Sequence, residues 1–171
     1  SSLSAPAIRG QGYQQAKTLF EAARKEQDPR KRAAMLRESV AVSEQFENAM
    51  ALGDTLLVGL HEPVEARRWF VRALGRAVSP KAMAQAAAQA ASTYEGSPEC
   101  LSDRIAWLKR SLGYQRFPQV EDALKQAMEV SRSKPVLDAA AIRAQLRSCE
   151  SGAEIQAAAR GVGIAPSVEL R

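Results

Sequence analysis

His61 is the only imidazole in the chain, so it is the first residue to weigh as a base or a ligand. It lies in the turn-like stretch His61-Glu62-Pro63. A catalytic base of this kind works on a nucleophile and is oriented by a third group. No Ser- or Cys-bearing motif near His61 supplies them, and no second histidine can share a metal. An exposed turn residue is the expectation. Cys100 and Cys149 stand 49 residues apart, outside any CxxC or His-rich spacing. Zinc takes about four ligands, so no protein-only zinc site is expected. The sequence offers no catalytic cluster and no cofactor motif; the expectation is a protein that is not an enzyme and binds neither metal nor cofactor.

Positive charge is the other possible chemistry. Arg67, Arg68, Arg72 and Arg76 form a stripe, which Arg104, Lys109 and Arg110 extend. Such a stripe can neutralise phosphates. The same helices carry Glu65 and Asp103, and no aromatic residues interleave on the exposed face to stack on bases. The net charge of +5 is a mild excess. A solvated face is therefore favoured over a nucleic-acid surface.

These residues sit in a chain that repeats. Ala66-Arg-Arg-Trp-Phe-Val-Arg-Ala-Leu-Gly75 recurs 38 residues on as Arg104-Ile-Ala-Trp-Leu-Lys-Arg-Ser-Leu-Gly113. Trp69/Trp107, Arg72/Arg110, Leu74/Leu112 and Gly75/Gly113 are identical pairs. Looking back 34 residues from the first copy, Arg32 to Ala41 matches the second copy at Arg32, Ala34, Leu36 and Ser39. Such spacing marks a helical-repeat array. The 171 residues fit one domain, and 46% hydrophobic with 25% charged residues is ordinary for a globular chain. No apolar run approaches the roughly 18 residues needed to span a bilayer.

Residues 1–10 read as a loose lead-in, residues 11–160 as the repeat domain, and residues 161–171 as a linker to a following domain. Tyr13, Ala16, Leu19, Phe20 and Ala23 have the spacing of one helix face. Asp28-Pro29 and Ser79-Pro80 each pair a capping side chain with a proline at the first helical position. Gly59 is expected to end the helix through Leu57, and Gly75 to form a left-handed cap. Ser97 and Ser102 are candidate caps in the connector 96–103, and Ser133 with Pro135 opens the next helix. Ser151-Gly-Ala-Glu154 reads as a capping box for a ninth, closing helix. The reading is all-α: about four helical hairpins in an α-α superhelix, plus a cap. Trp69 and Trp107 are expected in the core. In a regular array Cys100 and Cys149 fall at opposite ends of parallel helices about 15 Å long, beyond the roughly 7 Å that a disulfide tolerates. Two free thiols are expected.

The unit Ala49-x-x-Leu52-Gly53-x-x-Leu56, Ala66-x-x-x-Phe70-x-x-Ala73, Pro80 resembles a tetratricopeptide repeat. Trp69-Phe70-Val-Arg-Ala73 is also similar to the Sel1-like repeat. The resemblance covers roughly residues 11–147 and departs from the usual spacing near His61 and Cys100. It implies a protein-interaction scaffold whose first helices line a concave groove. The groove positions are Glu47, Met50, Asp54 and Val58 in one hairpin and Gln85, Ala88 and Ser92 in the next. The Lys, Arg and Asn set that clamps a free C-terminal carboxylate in that family is missing here. The implied partner is another protein or peptide, with nucleic acid bound on a basic convex face as the alternative. Residues 161–171 are similar to the connector entering OmpA-like peptidoglycan-binding domains. That resemblance, with the Ala/Arg-rich composition, implies a larger bacterial envelope protein with this chain in the envelope or periplasm.

Overall fold

A computed structural model describes residues 5–133 and 138–149. Among them are eight α-helices and no strand: α1 (Ala5–Lys25), α2 (Pro29–Val42), α3 (Phe46–Asp54), α4 (Pro63–Arg76), α5 (Pro80–Ser92), α6 (Leu101–Tyr114), α7 (Pro118–Ser133) and α8 (Ala139–Ser148). A π turn, Thr55–Gly59, prolongs α3, and a 3-10 turn, Pro98–Cys100, leads into α6. From α1 to α7 each helix packs on the next in the chain. The contact is more extensive within the pairs α1/α2, α3/α4 and α5/α6 than between them. Residues 150–171, with the proposed ninth helix and the linker, lie outside the described residues.

Several boundaries follow the capping chemistry. Asp28 Oδ1 accepts the Arg30 N–H at 2.9 Å, with Pro29 as the first residue of α2. Ser79 Oγ accepts the Ala82 N–H at 3.1 Å, ahead of Pro80. Other boundaries differ from expectation. α1 already runs from Ala5, through the stretch expected as a lead-in. Gly59 does end the helical run, but as the last residue of a π turn closed by Leu60 N–H, which reaches back five residues to the Thr55 carbonyl at 3.1 Å. Gly75 lies inside α4, which ends with Ala77 in extended geometry. Ser97 makes no capping bond, and Ser102 lies within α6. α8 is capped by Asp138, whose Oδ1 accepts the Ala141 N–H at 2.7 Å; Ser133 ends α7 instead.

The core runs through the helix pairs. Leu36, Leu52, Leu56, Phe70, Tyr94 and Trp107 are fully buried. α5 contributes Ala84, Ala86, Ala87, Ala90 and Ala91, all buried, and so presents a face without bulk to α4 and α6. Gly53 serves the same end in α3. A Cβ built there would lie 2.5 Å from the Phe70 ring. Trp69 departs from the expected burial. It is half-buried at the rim, bonded to Glu65 and 5.6 Å beneath the Arg72 guanidinium.

Buried polar groups join the helices in register. Ser39 Oγ donates to the Ala16 carbonyl at 2.7 Å and accepts from Asn48 Nδ2 at 3.0 Å, tying α1, α2 and α3 together. Ser111, the repeat counterpart of Ser39, donates to the Ala84 carbonyl at 2.7 Å, joining α6 to α5. Between hairpins, Arg32 Nε of α2 donates to Thr55 Oγ1 at 3.1 Å, and Arg67 Nε of α4 donates to Thr93 Oγ1 at 2.8 Å.

The cysteines correct the sequence argument. Cys100 and Cys149 form a disulfide with Cα atoms 5.4 Å apart, and no free cysteine remains among the described residues. The expectation of two thiols assumed that α8 would run parallel to α6. Instead the C-terminal end of α8 returns to the turn that opens α6. Closing a loop of 49 residues is worth about 4 kcal/mol in the chain-entropy model.

Two measurements test this packing. Gly53→Ala is expected to cost about 1–3 kcal/mol in urea unfolding, because Phe70 has no room to retreat. Thiol titration of the unreduced, unfolded protein is expected to find no free thiol; two would remove the disulfide and the return of α8.

Candidate protein-binding face

The first helices of the pairs meet at two places, a hollow between α1 and α3 and a hydrogen bond between α3 and α5. α1 and the start of α3 border a hollow of about 300 Å³, lined by Tyr13, Lys17, Phe20 and Arg24 from α1, by Glu47 and Asn48 from α3, and by Gln45 just before it. Its lining mixes two aromatic side chains, Tyr13 and Phe20, with the charged Lys17, Glu21, Arg24 and Glu47. Tyr13 is 45% exposed, Phe20 is half-buried, and Arg24 stands 5.8 Å over the Phe20 ring while pairing with Glu21 at 3.7 Å. α3 and α5 are joined by Asp54 Oδ1, which accepts Gln89 Nε2 at 2.8 Å.

The positions expected on this face divide. Glu47 lines the α1–α3 hollow, and Asp54 spans the α3–α5 seam. Val58 is 74% exposed in the π turn, and Gln85 is exposed on α5. Met50 and Ala88 are half-buried and also pack on the core, so they are not purely surface positions. Ser92 returns its hydroxyl to the Ala88 carbonyl at 3.2 Å. The α1 lining was missed because Tyr13, Ala16 and Phe20 read as core. The repeat itself carried the signal: stepping Glu47, Met50, Asp54 and Val58 back by 34 gives Tyr13, Ala16, Phe20 and Arg24.

The basic stripe is largely absorbed by internal contacts. Arg67 is buried, stacked 3.6 Å over the Tyr94 ring. Arg72 and Arg76 share Glu44 at 2.7 and 3.0 Å. Arg110 donates to the Tyr114 hydroxyl at 2.9 Å. His61 occupies the α3–α4 turn with a left-handed φ of 55° and is exposed. Among the described residues no three His, Cys, Asp or Glu side chains gather as metal ligands. No described helix is long and apolar enough to cross a membrane.

The repeat places two carboxylates in opposite surroundings. Glu65 of α4 pairs with Arg37 of α2, and that hydrogen bond holds its carboxyl below the usual range. Asp103 is the same position 38 residues on. The counterpart of Arg37 is Val71, which is buried, so the repeat supplies no arginine to pair with Asp103. Asp103 is 1% exposed and its Oδ1 accepts no hydrogen bond. Burial pushes its carboxyl up to about 7, against the opposing pull of Arg67.

Comparison with family models, curated proteins and solved structures returns no match to this chain.

The raised carboxyl of Asp103 makes stability depend on pH. The folded state holds its proton up to about pH 7, whereas the unfolded chain releases it near about 4. Between those values the unfolded state binds fewer protons, so this group lowers stability as pH rises. Asp103→Asn is expected to flatten that fall, with a higher urea midpoint than the parent at pH 8 and little difference at pH 4. Parallel pH profiles for parent and variant would remove Asp103 as the cause.

Proposed function

We propose that the chain is a non-catalytic protein-interaction scaffold. Its hairpins stack as a tetratricopeptide- or Sel1-like solenoid, and the face of α1, α3 and α5 is the concave binding surface. The observation that carries the reading is the hollow between α1 and α3. It brings two aromatic side chains, Tyr13 and Phe20, together with charges of both signs, Lys17, Arg24, Glu21 and Glu47. Aromatic anchors inside a polar rim suit a protein partner.

The repeated polar ties support the stacking. Ser39 and Ser111 bond the first helix of their pair, and Arg32 and Arg67 reach the following pair. Each unit touching only its neighbours is the organisation of a solenoid. A buried disulfide suits an oxidising compartment, in keeping with a module of a larger bacterial envelope protein. The arginines committed to Glu44, Thr93 and Tyr94 leave the nucleic-acid alternative without a specific feature in its favour.

Site-specific photo-crosslinking tests the reading. Benzoylphenylalanine replacing Tyr13 is expected to capture a discrete protein partner in cells of the source. The same probe replacing Arg116, whose side chain is 86% exposed on the connection between α6 and α7, is expected to capture none. Equal capture from both positions, or none from Tyr13, would remove the face as the binding surface.

A further inference from the structure

Asp54 is the acidic centre of the proposed binding face. Its Oδ1 is held by the neutral amide of Gln89, whereas Oδ2 accepts no hydrogen bond from any described residue. No Lys or Arg among the described residues forms an ion pair with it. α2 presents Arg32 to this end of α3, but that guanidinium is committed to Thr55 Oγ1 and the Glu26 carbonyl. α4 presents the Phe70 ring to α3. The charged positions in the same helical phase are Glu47, two turns back on α3, and Lys81, about two turns before Gln89 on α5, each roughly 10 Å or more along the helix.

We propose that Asp54 receives a lysine or arginine side chain of a partner polypeptide, with the cationic head on Oδ2 and the aliphatic stem over Val58 and Met50. The inference rests on the reading of this face as a protein-binding surface and names the chemistry of its partner. Val58 is 74% exposed and Met50 half-buried, which leaves apolar surface on either side of the carboxylate. Long basic side chains commonly lay their methylenes along such surface while the charge stays at its rim. Charge complementarity selects the occupant. A partly desolvated carboxylate with only an amide donor lacks a counter-ion, and a cation supplies both the charge and the missing donor.

Burial alone raises the Asp54 carboxyl to about 6. A cation favours the ionised form, so binding is strongest above that pH and weakens as pH falls through it. From pH 7.5 to pH 5 the ionised fraction drops about tenfold, and affinity follows it.

The probes are blocked pentapeptides of alanine with a central lysine, arginine, norleucine or glutamate, titrated into the ¹⁵N-labelled chain. The chain's net charge of +5 gives no general attraction for a cationic peptide, so saturable binding reports a local site. The lysine and arginine peptides are expected to shift the Gln89 side-chain amide and the Asp54 backbone amide at pH 7.5. Affinity is expected to be about tenfold weaker at pH 5, and binding lost in Asp54→Asn, whose own spectrum reports whether it is folded. Binding that persists in a folded Asp54→Asn, or shifts that avoid both residues, would overturn the inference. If the norleucine peptide fills the Tyr13–Phe20 hollow while no cationic peptide moves Gln89, the binding face stands and the cation site falls. If no peptide perturbs either region, the cation site falls with no support for the face.

Discussion

The close approach of successive helices is the constraint on which the rest of the structure depends. α5 meets its neighbours through five buried alanines, and α3 meets Phe70 through Gly53. Dispersion falls steeply with separation, so small residues gain contact only if the backbones come near. Backbones at that range bring main-chain carbonyls within reach of short hydroxyl side chains. Ser39 and Ser111 use that reach, each bonding a carbonyl on the partner helix. The small apolar residues thus set the distance, and the buried hydroxyls set the register along the helix.

Repetition gives the chain equivalent positions, and the packing then treats them differently. Glu65 and Asp103 share a place in the repeat, yet one is ion-paired at the surface and the other buried with an orphan oxygen. The difference begins in the preceding second helix, where Arg37 is matched by Val71. Trp69 and Trp107 diverge in the same way. Trp107 is 1% exposed and Trp69 half-buried, although each lies beneath the arginine three residues on, Arg110 and Arg72. Environment, not residue type, decides which copy is core.

The same logic makes the proposed binding face asymmetric. Along α1 the face carries Tyr13 and Phe20; along α3 it carries Glu47 and Asp54; along α5 it carries Gln85 and Gln89. A hollow of aromatic and charged side chains is thus followed by the Asp54 carboxylate and then by neutral amides. A partner lying across the three helices would meet three chemistries in order, which favours one direction of binding over its reverse.

Local chemistry was legible in the sequence: all-α character, the helix pairs α1/α2, α3/α4 and α5/α6, and the caps at Asp28 and Ser79. Each depends on residues within a few positions of one another, where spacing fixes geometry. The α1 lining of the hollow was legible only by carrying the repeat back 34 residues, because Tyr13 and Phe20 taken alone look like core. The tertiary structure decided the remainder. The disulfide depends on the direction in which α8 returns, across 49 residues of chain. The Asp54–Gln89 bond joins residues 35 apart, and the fate of Asp103 turns on a missing arginine two helices away. Spacing along a helix states which residues share a side; only packing between helices states what that side meets.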